Sequence, residues 1–197
     1  MSELLTIDTG AGFVKQEKVD PLPLYDDNHP MLKIKIPEYE HSLPNSAMTQ
    51  LVKRLKMTMK KFGGIGLSAN QCGVFERVFV LGTDEFQLVC INPKVIESSE
   101  STIKMSEGCL SYPGLFLNID RSNSIVVEFV SEKGETVQMK MEGVTARAFL
   151  HELDHMNGVR FVDHVGPVSL RMAKKRQLKL NKKVQKAFGL KNVSQLV

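Results

Sequence analysis

Two histidines four residues apart, with a glutamate after the first, are the residues of this chain best suited to metal chemistry. They lie in the segment His151-Glu152-Leu153-Asp154-His155. On a helix, positions i and i+4 share a face, so both imidazoles can reach a single ion, and the glutamate can handle a proton of a water bound to that ion. A buried helix face would explain Phe149, Leu150 and Leu153, but not two histidines and an acid together. The spacing therefore predicts a metal-binding helix.

A cysteine and a glutamine in two glycine-containing segments could complete such a site. Cys109 lies in Glu107-Gly108-Cys109-Leu110-Ser111, and Gln71 ends the segment Gly64-Ile65-Gly66-Leu67-Ser68-Ala69-Asn70-Gln71. One thiolate and two imidazoles leave the fourth tetrahedral position to water, which is typical of a catalytic metal. Two alternatives stay open on the residues alone. Cys109 could be a small buried apolar residue, and the glycine-rich turn could cradle a phosphate, although it lacks the Lys-Ser/Thr of a P-loop.

The three segments together, in this order, resemble the three motifs of the peptide deformylase family. These are a glycine-rich segment that ends in glutamine, a Glu-Gly-Cys-Leu-Ser segment, and a His-Glu-x-x-His helix with aspartate before the second histidine. The resemblance covers roughly residues 20 to 165. Ser68 stands where the family more often has alanine, and Leu150 stands where a glutamine often precedes the first histidine. Neither departure touches a ligand or the catalytic acid.

The resemblance implies a metal-dependent hydrolase that removes the N-formyl group from the N-terminal formylmethionine of newly made polypeptides and releases formate. The implied metal ligands are Cys109, His151 and His155. Fe²⁺ is the expected ion in the cell, with Zn²⁺, Ni²⁺ or Co²⁺ as alternatives, because a thiolate and two imidazoles suit several of these ions. By resemblance, metal-bound water attacks the formyl carbon with Glu152 as the proton shuttle. The side-chain amide of Gln71 and the backbone N–H of Leu110 would stabilise the oxyanion.

The resemblance also implies that the peptide binds as an added strand, which requires close approach to the backbone. The matching positions are Ile65, Gly66 and Gly108. Ile65, Leu110 and Ala148 would build part of an apolar pocket for the methionine side chain. Arg147 either borders this pocket or points to solvent. Glu107 and Arg121 either form an ion pair beneath the site or are two independent surface charges.

The elements expected to position these residues form an α+β fold. An amphipathic helix is predicted to open at Asn45-Ser46-Ala47 and to end at Gly63-Gly64, and strands are predicted at 78–81, 87–91, 124–130 and 136–141. Strands followed by a helix indicate mostly antiparallel short sheets around a central metal-binding helix, in the manner of peptide deformylases, with a basic C-terminal helix. We expect a loosely ordered N-terminal extension at 1–20, a catalytic domain at 21–165 and a basic helical tail at 166–197.

The tail is basic and the rest of the chain is acidic. Residues 165 to 197 hold nine lysines and arginines and no acid, whereas the whole chain has a net charge of +4. A helix is predicted from about 169 to 188. Such a helix favours binding to a phosphate backbone, and its placement resembles that of the helix with which bacterial deformylases dock on the ribosome. A solvated helix packed through its leucines, or a segment that only confers solubility, remains an alternative.

Composition favours a soluble globular protein. Hydrophobic residues make up 42% of the 197 residues and charged residues 24%, and three cysteines provide no disulfide framework. No segment approaches ~18 uninterrupted apolar residues, and the N-terminal sequence lacks a signal or transit pattern. We therefore expect a cytoplasmic monomer that does not bind membranes.

Two other functions compete with the hydrolase. A zinc endopeptidase shares the His-Glu-x-x-His helix, but it takes a third histidine or a distant glutamate as ligand and leaves the other two segments unexplained. A catalytically inactive RNA or ribosome adaptor would act through the basic tail. Loss of activity usually removes a ligand or the proton shuttle, and all of these residues are present here. The enzyme is therefore favoured.

Overall fold

The computed structural model describes residues 19–188, so the extension predicted at 1–20 lies outside the described residues except for its last two. Three α-helices are found in this part of the chain: α1 (Ser46–Lys61), α2 (Gly143–Met156) and α3 (Pro167–Phe188). The strands are β1 (Gly66–Ser68), β2 (Val78–Gly82), β3 (Gln87–Ser98), β4 (Thr102–Gly108), β5 (Phe116–Ser122), β6 (Ser124–Val130) and β7 (Thr136–Glu142). Between residues 19 and 188, no helix has the length and apolar character to span a membrane.

The strands form two antiparallel sheets, which confirms the predicted α+β class. The larger sheet has the order β1-β2-β3-β6-β7, and β4 pairs with β5 in a two-stranded sheet. The helix predicted at the C-terminus is confirmed as α3. Strands β1, β4 and β5 were not predicted, and β3 continues beyond its predicted end at residue 91. Asn92 and Pro93 interrupt the apolar pattern there, and the register with β6 shifts at that point, as at a β-bulge.

Helix α1 leads the chain to β1. Its N-terminus is capped by Asn45, whose side-chain oxygen accepts a hydrogen bond of 2.8 Å from the backbone N–H of Met48. The buried apolar face of the helix packs on β1 and β2. Gly63 follows the helix with φ +66°, a left-handed conformation that glycine adopts without steric cost. The turn places β1 at the edge of the larger sheet.

Helix α2 lies against the larger sheet with one face in the core. Ala146 and Phe149 are fully buried, and the Phe149 ring packs edge-to-face on Phe79 of β2 at 5.1 Å between centroids. Gly158 follows the helix with φ +72°, a left-handed conformation typical of a glycine after a helix end. The histidines and the glutamate of the helix lie towards β1 and the segment after β4, where a cavity opens.

Helix α3 is packed against the molecule over its first turns. Leu170 and Ala173 join an apolar cluster that also contains Cys109 and Tyr112. Further along the helix, the side-chain amide of Gln177 donates a 2.7 Å hydrogen bond to the carbonyl of Pro113. The later leucines, Leu178 and Leu180, are exposed. The alternative of a helix packed through its leucines therefore holds only for the first turns of α3.

Candidate active site

Three metal-binding side chains converge between α2 and the end of β4. One ligand atom from each of Cys109, His151 and His155 lies within 4.8 Å of the other two. The sulfur of Cys109 is 3.3 Å from Nε2 of His155. The two histidines come from successive turns of α2, with ring centroids 5.1 Å apart, and Cys109 follows β4 directly. The i and i+4 spacing therefore places both imidazoles on the face that the cysteine approaches.

The donor set is suited to a divalent transition metal. A thiolate with two imidazoles is a soft and borderline combination that such ions prefer. Burial, helped by the positive charge of Arg121, holds the pKa of His155 well below its ordinary value. His155 is therefore a neutral imidazole, which is the form that ligates metals. The side chains present fit a bound ion.

The other two cysteines are neutral buried thiols. Burial, helped by the negative charge of Glu152, raises the pKa of Cys72 to about 12. Burial also raises the pKa of Cys90 well above its ordinary value. Cys109, by contrast, lines the cavity. Of the three cysteines, it is the one placed to supply a thiolate to the histidines.

Glu107 anchors the first histidine from behind. Its Oε2 lies 3.2 Å from Nδ1 of His151, and Arg121 binds both carboxylate oxygens at 2.7 and 3.0 Å. Burial would raise the pKa of Glu107, but hydrogen bonds from His151 and Arg121 and the charge of Arg121 lower it to about 2. The ionised carboxylate of Glu107 accepts a hydrogen bond from Nδ1 of His151, so the other ring nitrogen, Nε2, is free to face an ion. The pair is thus a buried ion pair and not two surface charges.

The same network continues to the surface. Arg121 donates a 2.8 Å hydrogen bond to Oδ2 of Asp154, and that oxygen lies 2.7 Å from Nε2 of His164. Asp154 therefore joins the segment that precedes α3 to the ion pair beneath the site.

Glu152 is buried beside the ligands. Its Oε2 accepts a 2.5 Å hydrogen bond from the hydroxyl of Ser68. Its Oε1 lies over Gly66, where an added Cβ would be 2.4 Å from that oxygen. Burial raises the pKa of Glu152, and this effect exceeds the opposing influence of His151 and Ser68. A carboxyl group with a raised pKa in a cavity is suited to accepting and releasing a proton.

Gln71 lies beside Cys109, in a short 3-10 turn that follows β1. The backbone N–H of Ser68 donates a 3.0 Å hydrogen bond to Oε1 of Gln71. The amide nitrogen then points to the site, 3.5 Å from the sulfur of Cys109 and 3.2 Å from Oγ of Ser111. Leu110, next to Cys109, lines the same cavity. The predicted oxyanion donors thus lie beside the predicted ligands.

The cavity has a volume of about 840 Å³ and a largely apolar wall. All the residues predicted to bind substrate line it: Ile65, Gly66, Gly108, Ala148 and Arg147. Arg147 does not point to solvent. Its guanidinium donates hydrogen bonds to Glu107 and to the carbonyls of Ile103 and Ile119, and the side chain is buried. Because these hydrogen bonds fix the side chain, Arg147 forms part of the cavity wall.

Sequence reasoning missed several lining residues. Tyr25 and Asp26 reach the cavity from a loop whose sequence carries no periodic pattern. Phe116 is the register partner of Gly108, and an added Cβ at Gly108 would be 2.9 Å from its ring. Recognition of the β4–β5 hairpin would have indicated Phe116. Val144 lies one helical turn before Ala148, so the helical spacing alone could have identified it.

Comparisons with known proteins agree with this geometry. The family model described as polypeptide deformylase matches residues 21–171. The peptide deformylase of Thermotoga neapolitana is 36% identical over 138 residues, which are 70% of this chain and 84% of that protein. The peptide deformylase of Aquifex aeolicus is 37% identical over 155 residues, with coverages of 76% and 91%.

Solved structures show the same fold. The Synechococcus elongatus peptide deformylase in complex with actinonin has a TM-score of 0.75 and 31% identity, and the match covers 80% of this chain and 86% of that one. The Acinetobacter baumannii peptide deformylase bound to Met-Ala-Ser has a TM-score of 0.70 and 27% identity, with coverages of 74% and 98%. The chain therefore belongs to the polypeptide deformylase family, whose enzymes remove the N-formyl group from nascent peptides.

Proposed function

We propose that this chain hydrolyses the formyl group from the N-terminal formylmethionine of newly made polypeptides and releases formate. The observation that carries the proposal is the convergence of three metal-binding donors beside a buried glutamate in an apolar cavity. Cys109, His151 and His155 would hold the ion. Fe²⁺ is proposed as the ion in the cell, with Zn²⁺, Ni²⁺ or Co²⁺ as alternatives.

Glu152 is the proposed proton shuttle. A bound ion would supply Lewis-acid chemistry, lowering the pKa of a water molecule towards ~7 and polarising the formyl oxygen. Glu152 takes the proton that this water loses as its oxygen bonds to the formyl carbon. When the C–N bond breaks, Glu152 delivers the proton to the departing amine, and formate leaves. The position of Oε1 over Gly66, at the cavity wall, supports this role.

Gln71 and Leu110 are the proposed donors to the oxyanion that develops on the formyl oxygen. The hydrogen bond from Ser68 N–H to Oε1 of Gln71 supports the assignment, because it directs the amide N–H groups towards the ligand set. A preorganised donor stabilises developing charge without reorganisation during the reaction. The Leu110 backbone N–H is assigned from the position of this residue directly after Cys109.

The proposed substrate is an extended peptide that pairs with the backbone around β1 and the end of β4. Strand β1 is an edge strand of the larger sheet, which supports strand addition there. Ile65, Gly66 and Gly108 line the cavity along this edge. The methionine side chain would lie against Leu110, Ala148 and the fixed stem of Arg147. The Met-Ala-Ser bound by the Acinetobacter baumannii relative is such a peptide without its formyl group.

The deciding experiment is anaerobic purification with metal analysis, followed by formate release from formyl-Met-Ala-Ser. We expect about one metal per chain and turnover by the wild type. Glu152→Ala should retain the metal and lose at least a hundredfold in kcat, on the order of what a general base contributes. Glu97→Ala, which removes an exposed carboxylate on β3, is the matched control and should leave kcat unchanged.

The outcomes separate the parts of this proposal. A metal-loaded wild type without formate release would contradict the substrate assignment. A wild type that binds no metal would contradict the ligand assignment. Full activity in metal-loaded Glu152→Ala would contradict the shuttle role of Glu152. The substrate assignment and the ligand assignment would still stand.

We also propose a division into a catalytic domain at 21–165 and a basic tail at 166–197, in a monomer located in the cytoplasm. The tail is proposed to dock on ribosomal RNA. All eight lysines and arginines of α3 are exposed, and the helix contains no acidic residue. Its first turns are held by Leu170 and Ala173, which leaves the basic side chains free to meet a phosphate backbone.

A further inference from the structure

We propose that Ser68 is a positioning residue for Glu152, whose hydroxyl holds one oxygen of the carboxylate so that the other faces the cavity. The inference rests on the proposed role of Glu152 as proton shuttle.

Ser68 is itself rigidly held. It is completely buried, and it pairs with Phe79 of β2 at the end of β1. Its Oγ lies 2.5 Å from Oε2 of Glu152 and 3.3 Å from the backbone carbonyl of the same residue. The hydroxyl thus connects the tip of the glutamate to its own helix backbone. Such a contact selects one side-chain rotamer of Glu152.

Gly66 and Ser68 act together on the carboxylate. Residues two apart on a strand face the same side of the sheet, so both lie under Glu152. Gly66 leaves room for Oε1, since any Cβ there would be 2.4 Å away, and Ser68 binds Oε2. Within residues 19–188, the Ser68 hydroxyl is the hydrogen-bond partner of this carboxylate. Without it, a buried carboxylate oxygen would lack a donor, which is energetically costly.

The backbone N–H of Ser68 makes a hydrogen bond of its own, to Gln71. This N–H donates to Oε1 of Gln71, and the bond does not depend on the side chain of Ser68. A change from serine to alanine therefore removes the contact with Glu152 and leaves in place the backbone N–H that donates to the side chain of Gln71. The expected effect falls on kcat, because the carboxylate meets the transferred proton and not the peptide backbone.

The first test compares kcat and KM for formyl-Met-Ala-Ser hydrolysis at equal metal content. Ser68→Ala should lower kcat about tenfold and leave KM unchanged, a partial loss of the general-base contribution. Ser68→Thr restores the hydroxyl and should recover most of this loss. Thr58→Val is the matched control, because it removes another fully buried hydroxyl, which hydrogen-bonds to Leu22 and Arg54. Thr58→Val should lower the melting temperature without changing kcat.

The second test asks whether Ser68 acts through Glu152. In a Glu152→Asp background the carboxylate is one methylene shorter and does not reach the hydroxyl, so Ser68→Ala should change kcat less than twofold. An equal tenfold loss in both backgrounds would show that Ser68 supports the fold in general and would overturn the proposal. An unchanged kcat in Ser68→Ala would also overturn it. Full activity of Glu152→Ala would instead refute the shuttle role itself, so the two failures are distinguishable.

Discussion

At the scale of single residues, the site consists of side chains whose polar partners fix their direction. Glu107 holds Nδ1 of His151, and Ser68 holds both Glu152 and Gln71. Each contact leaves one atom of the functional group directed to the cavity. Preorganisation of this kind makes a group effective at the moment of reaction, because no reorientation is needed.

We predict that Gln71→Ala will lower kcat by about a hundredfold, since loss of one oxyanion donor costs ~3 kcal/mol. Metal content should stay at the wild-type level because Gln71 is not one of the three converging ligands. Steady-state kinetics on formyl-Met-Ala-Ser with parallel metal analysis would measure both quantities. Gln138→Ala, which truncates an exposed glutamine on β7, is the control. Wild-type turnover by metal-loaded Gln71→Ala would refute the donor role.

At the scale of elements, the turn after α2 joins the metal-binding helix to the segment before α1. Gly158 has φ +72°, and an added Cβ would lie 2.8 Å from the carbonyl carbon of Ile34. The backbone N–H of Ile36 also donates a 2.9 Å hydrogen bond to the carbonyl of Met156. Close backbone packing at this turn therefore sets where α2 ends.

We predict that Gly158→Ala will reduce the free energy of unfolding by about 1–3 kcal/mol, because both the left-handed conformation and the close contact disfavour a side chain. Gly166→Ala is the matched control. Its Cβ would meet no atom within 4 Å and its φ is not in the left-handed region, so its stability should be equal or slightly higher. Urea unfolding of the three proteins provides the measurement. Equal stability of Gly158→Ala and wild type would contradict the packing argument.

At the scale of the whole molecule, charge is divided between the basic tail and the acidic remainder of the chain. Helix α3 combines an apolar face, packed near Cys109, with exposed lysines and arginines along its length. The packed face connects the tail to the region of the active site, and the exposed face meets solvent. The proposed ribosome docking depends on the second face alone.

We predict that reversing three α3 charges, in Lys175→Glu, Lys179→Glu and Lys182→Glu together, will abolish binding to purified ribosomes at physiological salt. Hydrolysis of a free formyl peptide should not change. Wild-type binding should weaken steeply as salt increases, as counterion release requires. The control reverses three exposed lysines elsewhere: Lys33, Lys35 and Lys53. Equal loss of binding in both triple variants, or no loss in either, would contradict a specific role of α3.

Much of the architecture could be predicted from sequence because it depends on local patterns. The spacing of apolar residues located α1 and α3, and the period of two located β6 and β7. Strand β4 escaped prediction because most of its residues are exposed, and β5 because a buried arginine, Arg121, takes one of the positions where an apolar residue is expected. The two strands pair only with each other, and their register is set by that pairing. The hairpin nevertheless carries Glu107 and Gly108 and brings Phe116 to the cavity.

The sequence by itself determined which residue types are available for chemistry, and the i and i+4 spacing determined that two histidines share a helix face. Only the tertiary structure decided the choices that the residues left open. It joined Glu107 to Arg121, turned Arg147 away from solvent, and placed the Ser68 hydroxyl on Glu152. These contacts connect residues far apart in the chain, and burial gives them their strength, because a buried charge must find a partner. No local pattern records which partner that will be.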